Sequence, residues 1–221
     1  MLPHIDLVIS DWSGVISDDR RTVHEALMRM LAKRGIARMS YTDWEQTARV
    51  SPRKFLTSMS ELKVFGTFEE LADEYEETFN LVSFEGLRPE VFPDVQDFLS
   101  HIKLNLPGTV VVVASSHPQK YLEDEAKLFG VHGLIKDFVG DAHEKITALK
   151  GVLGGVPANR AVYVCDSRYD ICAARGAGIT AIGIPTGYHS ETELCGELNS
   201  TRGPSPVIVH SLADAIPLLR H

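Results

Sequence analysis

The chain has 221 residues, of which 44% are apolar, enough for one substantial packed domain or a main domain with a smaller insertion. Lys and Arg total 22 against 30 for Asp and Glu, a net charge of −8, so the basic face that a nucleic-acid binder needs is not expected. No stretch approaches the ~18 consecutive apolar residues of a membrane span. The opening stretch MLPHIDLVISDWSG also lacks the basic start and long apolar core of a leader, so a cytoplasmic protein with no membrane partner is expected.

In chain order, residues 5–10 form the first apolar run, continuous rather than alternating, which predicts a strand buried on both faces. Residues 18–85 then read as helical throughout. Val23, Leu27, Met30 and Leu31 mark one face of a helix over 22–34, and 41–50, 52–62 and 68–79 continue the pattern, with breaks at Gly35, Ser51-Pro52 and Gly66. Residues 86–93 read as a return linker. Beyond it, apolar runs at 109–114, 161–165, 180–184 and 206–210, and a weaker one at 138–140, alternate with helical stretches at 119–129, 144–153, 169–177 and 212–219.

Strands alternating with helices of this length predict a parallel sheet. The expected fold is therefore α/β: a Rossmann-like parallel-sheet core made of 1–17 and 86–221, with a small all-helical domain, 18–85, inserted after the first strand. No Gly-x-Gly-x-x-Gly run follows that strand, which speaks against a dinucleotide-binding module. Cys165, Cys172 and Cys195 show no CxxC spacing and read as free thiols of a reducing compartment.

In parallel sheets ligands gather beyond the carboxyl ends of the strands. The residues just past each apolar run are Asp11-Trp12-Ser13-Gly14, Ser115-Ser116-His117, Asp141 followed by Lys145, and Asp166-Ser167-Arg168-Tyr169-Asp170. Carboxylates, hydroxyls and a lysine at one sheet edge can bind a divalent cation and a phosphoryl group together. Asp11 is the candidate nucleophile, held rigidly behind a buried strand. Asp11 and Asp166 are the expected direct ligands of a hard cation such as Mg²⁺, with Asp170 in support. Ser115 and neighbouring backbone N–H groups are read as opening a helix, an anion site, with Ser116 one residue away as the competing choice. Lys145 is preferred over Lys136 and Lys150 as the positive charge that fixes the nucleophile. Arg53, Lys54 and His117 are weaker candidates for substrate contacts, and each has a plain surface or capping role as the alternative.

These segments resemble, in order, the four motifs of the haloacid dehalogenase superfamily: 11–18, 110–115, Lys145 and 166–170. The stretch AVYVCDSRYDICAARGAGITAIGI carries the most specific likeness, with Cys165 where the family usually has glycine. The resemblance implies an aspartyl-phosphate on Asp11, Mg²⁺ as cofactor, a small phosphorylated metabolite as substrate, and a helical cap that selects it. The ligand at position 13 would be a backbone carbonyl.

One departure stands out. Family phosphatases usually carry an aspartate two places after the nucleophile, which protonates the leaving oxygen and activates water; this chain has Ser13. A serine hydroxyl is too weak an acid for that task near neutrality. Three readings stay open: a slow or specialised phosphatase whose proton comes from elsewhere, a carbon–phosphorus hydrolase resembling phosphonoacetaldehyde hydrolase with Lys54 as its cap lysine, or a binding protein on the same fold. Oligomeric state is not legible.

Overall fold

The computed structural model describes residues 4–48, 50–63, 65–196 and 202–219. In chain order the strands and helices are β1 (Leu7–Ser10), β2 (Ser17–Asp18), α1 (Arg20–Lys33), α2 (Tyr41–Asp43), α3 (Pro52–Glu61), α4 (Phe68–Phe84), β3 (Glu90–Val91), α5 (Val95–Asn105), β4 (Val110–Ala114), α6 (Gln119–Leu128), β5 (Asp137–Val139), α7 (Lys145–Leu153), β6 (Ala161–Cys165), α8 (Arg168–Ala177), β7 (Thr180–Gly183), α9 (Glu191–Cys195), β8 (Val207–Ile208) and α10 (Leu212–Ala215). They fall into two compact units, Met1–Ser17 with Val91–His221, and Asp18–Glu90.

The sheet unit is a six-stranded parallel sheet in the order β5-β4-β1-β6-β7-β8, so the α/β, Rossmann-like expectation holds. β1 is central, pairing Ile9 with Val112 of β4 on one side and with Tyr163 of β6 on the other. The chain builds outward to β5 on one side and then returns across β1 to build β6, β7 and β8, which makes the carboxyl end of β1 the reversal point of strand order. Although the inner strands are largely apolar, their side chains still alternate. Val8, Val113, Val162 and Val164 share a core with Phe98, Leu99, Ile102 and Leu122 from α5 and α6. Leu7, Ile9, Ala114, Ala161 and Tyr163 share the other with Leu149, Ile171 and Ala174 from α7 and α8. Burying side chains of this size is worth roughly 1.5–3 kcal/mol each, which is why two-sided strands need no polar face.

Several features differ from the sequence-based reading. Helix α5 went unpredicted, although Val95, Phe98, Leu99 and Ile102 are buried at helical spacing. The stretch 41–50 is not one regular helix: after the single turn α2, residues Trp44–Ala48 form a wider π turn, with the Thr47 hydroxyl bonded to the Asp43 carbonyl at 2.6 Å. Arg49 lies outside the described residues.

The helical unit is inserted after the first strand of the sheet. Its helix α4 starts at a reciprocal capping box between Thr67 and Glu70 and runs to Phe84 rather than 79, because Leu71, Thr78 and Val82 keep one face buried. Helix α1 packs on it through Val23, Leu27 and Met30. Pro52 opens α3 behind the Ser51 cap, where its missing N–H costs nothing. Among the described residues no helix is long and apolar enough to cross a membrane.

Candidate active site

Register places the site. Ser10 stands level with Val113 of β4 and Val164 of β6, so Asp11, Ser115 and Asp166 all emerge just past the strand ends at one sheet edge. The Asp11 N–H continues the ladder to Val164 O at 2.9 Å, which fixes its backbone. Asp11, Asp166 and Asp170 are buried, and one carboxylate oxygen from each lies within 4.8 Å of the others. Three hard oxygen donors at this spacing suit a cation such as Mg²⁺.

Lys145, the first residue of α7, is buried at 4% exposure and points its ammonium into this cluster. Nζ lies 3.1 Å from Asp11 Oδ1, 2.9 Å from the Ala114 carbonyl and 2.9 Å from the Tyr163 hydroxyl, with Asp170 Oδ1 at 3.4 Å. The Trp12 N–H donates to the same Asp11 oxygen at 2.8 Å. Oδ1 therefore carries two donors, while Oδ2 accepts no hydrogen bond among the described residues. Burial raises the Asp11 carboxyl to about 6; Lys145 pulls it down and the Asp170 charge adds to the rise. Burial alone would depress the Lys145 ammonium, but Asp11 and Asp170 outweigh it and hold it above its usual range. Lys145 thus stays charged, and its one ammonium faces two carboxylates of the three-carboxylate cluster.

Other residues lock the set. Asp170 sits in the first turn of α8, its carboxylate bonded to the Ser167 hydroxyl that caps the helix and, at 3.1 Å, to the Tyr163 hydroxyl. The Tyr188 N–H holds Asp166 Oδ2 at 2.8 Å, and Thr186 Oγ1 ties the Gly14 carbonyl at 2.6 Å. Sequence reasoning missed Tyr163, Tyr188 and Gly187, whose backbone packs against the Asp166 carboxylate. A tyrosine inside an apolar strand reads as packing, and a backbone amide leaves no sequence mark, whereas Ser167-x-x-Asp170 did carry a visible capping signal.

The structure corrects one detail at the second strand. Ser115 does not open a helix: its N–H closes the ladder to Val139 O at 3.0 Å, and α6 starts only at Gln119. Ser115 is buried, Ser116 is exposed and His117 is half-buried. Asp141 stays out of the cation cluster; its N–H binds the His117 carbonyl at 2.8 Å, joining the two loops. Ser13 is half-buried in the loop after Asp11, bridged to Ser17. Arg53 and Lys54 belong to the helical unit, exposed in the first turn of α3. The three cysteines are free, and burial raises the Cys165 thiol well above its usual range.

Residues 8–184 match the sequence model of the haloacid dehalogenase-like hydrolases, and the chain belongs to that family. Two curated phosphoglycolate phosphatases share local similarity. One, from Mannheimia succiniciproducens, is 28% identical over 109 residues, 45% of this chain and 46% of that protein. The other, from Haemophilus influenzae, is 27% identical over 125 residues, 51% and 54% respectively. The match thus spans about half the length of these curated relatives. The fold extends further. A haloacid dehalogenase-like family protein from Streptococcus pneumoniae superposes with a TM-score of 0.77 at 16% identity, covering 98% of this chain and 99% of that one. The protein CbbY from Rhodobacter sphaeroides, solved with phosphate, gives 0.71 at 17% identity, covering 96% of each chain.

Proposed function

We propose that this protein is a Mg²⁺-dependent phosphohydrolase of a small phosphorylated metabolite, with Asp11 as the nucleophile. The observation that carries the reading is the Asp11 carboxylate: buried at the end of the central strand, held on Oδ1 by Lys145 and Trp12, and grouped with Asp166 and Asp170. The phosphatase names of the relatives support it.

Asp11 Oδ2, the oxygen without a hydrogen bond among the described residues, attacks phosphorus as the ester oxygen leaves, giving an aspartyl-phosphate. Water then attacks that phosphorus, releasing phosphate and restoring the carboxylate. Mg²⁺ held by Asp11, Asp166 and Asp170, with the carbonyl of residue 13 as a further ligand, would relieve carboxylate repulsion and neutralise charge on the phosphoryl oxygens. Lys145 orients Asp11 and adds fixed positive charge where the transferring group is most negative. Ser115 and the Ser116 N–H are the candidates for holding the phosphoryl group itself. The helical unit, inserted straight after the Asp11 loop, would serve as the cap that selects the substrate, with Arg53 and Lys54 as candidate contacts.

Release of phosphate from an aryl phosphate, with Mg²⁺ and with EDTA, tests the reading on wild type and on Asp11→Asn. Turnover should need Mg²⁺ and vanish in the variant. Undiminished turnover by Asp11→Asn would remove the nucleophile from the scheme.

A further inference from the structure

Lys145 has three N–H donors but four oxygen neighbours: Asp11 Oδ1, Ala114 O, Tyr163 Oη and Asp170 Oδ1. The longest of these contacts, 3.4 Å to Asp170, is the one that goes short of a donor. Tyr163 supplies the missing donor. Its hydroxyl accepts from Lys145 at 2.9 Å and lies 3.1 Å from Asp170 Oδ1 and 3.5 Å from Ala114 O, and its single proton serves the nearer oxygen. The side chain is fully buried on the face of β6 covered by α7 and α8.

Resting on the function proposed above, we infer that Tyr163 is a positioning residue of this site: by accepting one Lys145 N–H and donating its own O–H to Asp170, it keeps the ammonium on Asp11 and leaves the Asp170 carboxylate turned to the cation. Without the hydroxyl, the freed N–H of Lys145 turns to Asp170. The contact to Asp170, the longer of the ammonium's two carboxylate contacts at 3.4 Å, then tightens into a full hydrogen bond, and the ammonium competes more strongly with the metal for both carboxylates.

Tyr163→Phe removes the oxygen and keeps the ring. Mg²⁺ affinity, measured by calorimetry on protein without substrate, should fall about tenfold, the scale on which partners of metal ligands act. The Mg²⁺ concentration for half-maximal turnover should rise in step. Ile9→Val, which thins the same core face beside Tyr163 and bonds to none of these groups, should leave Mg²⁺ affinity at the wild-type value. Unchanged affinity in Tyr163→Phe, or an equal loss in Ile9→Val, overturns the inference. A wild type that binds Mg²⁺ but hydrolyses no phosphate ester would overturn the proposed function, while the calorimetric comparison would still decide the role of Tyr163. A wild type that binds no Mg²⁺ would overturn both.

Discussion

Gly187 and Asp166 pack so closely that a Cβ on the glycine would lie 1.9 Å from Asp166 Oδ2. Gly14 closes in on the same oxygen: a Cβ there would lie 2.5 Å away, and its left-handed φ of 77° favours glycine. The carboxylate is thus gripped between two backbones and held by the Tyr188 N–H. Gly187→Ala should displace Asp166, costing about 1–3 kcal/mol of stability as overpacking does. Chemical denaturation and Mg²⁺ calorimetry on the variant should both register the change. Wild-type values in both would mean that the loop carrying Thr186 and Tyr188 yields at no cost.

Lys145 faces Asp11 and Asp170 with all three side chains buried. Lys145→Met would leave two buried carboxylates without their counter-charge, a loss typically worth about 3–5 kcal/mol. Lys145→Arg keeps the charge, but its planar fork cannot reproduce the ammonium's contacts with Asp11, Ala114 and Tyr163. The expected order of turnover is wild type, then Arg, then Met, with the urea midpoint falling most for Met. An Arg variant as active as wild type would reduce Lys145 to a generic positive charge.

Much of this site was legible because strand ends are easy to find. The runs at 161–165 and 109–114 are apolar on nearly every residue, so the first polar residue past each one marks the functional edge. Asp11 and Asp166 were reached this way, Asp170 as the acid one helical turn further on and Lys145 as the lysine at the start of the next helix, and the structure brings the four together. What stayed hidden depends on three-dimensional proximity. Tyr163 has the same pattern signature as any core tyrosine, and only the approach of α7 and α8 turns its hydroxyl into a partner of Lys145 and Asp170. The grip of Gly187 on Asp166 joins residues on different loops, which no local spacing announces. The helix expected at Ser115 fails for a local reason: Pro118 delays the start of α6, while the strand ladder takes the Ser115 N–H.

Within the helical unit, Glu74 of α4 accepts from Arg34 through both oxygens, at 3.2 and 2.6 Å, with Lys33 at 3.3 Å. The Arg34 bond holds its carboxyl below the ordinary 4.5, against the opposing effect of partial burial. A depressed folded-state value means that the unfolded chain takes up its proton first as pH falls. The stabilisation is therefore present above pH 4.5 and is lost as pH drops through the folded-state value. Arg34→Met should cost about 1 kcal/mol at pH 7, the scale of a partly exposed pair, and the gap to wild type should close in acid once pH has fallen through the folded-state value. Urea midpoints at pH 7 and in acid below that value check this; a gap independent of pH would assign the loss to packing of the arginine stem.

In the proposed mechanism Ser13 would bear on the rate rather than on the fold. It lies half-buried in the loop after Asp11, and if Asp11 is the nucleophile, a carboxylate at this position would protonate the leaving oxygen where a hydroxyl cannot. General acid–base help is worth ~10²–10⁴-fold, or about 3–5 kcal/mol of barrier. Ser13→Asp should therefore raise turnover most for esters with poor leaving groups, which need the proton, and least for aryl phosphates, which leave without one. A fourth carboxylate near Asp11, Asp166 and Asp170 adds repulsion, so the gain should appear only at saturating Mg²⁺. Turnover of an alkyl and an aryl phosphate by both proteins, across a Mg²⁺ series, separates the two effects. An equal change for both esters would show that position 13 has no part in proton transfer and that the acid belongs to another residue.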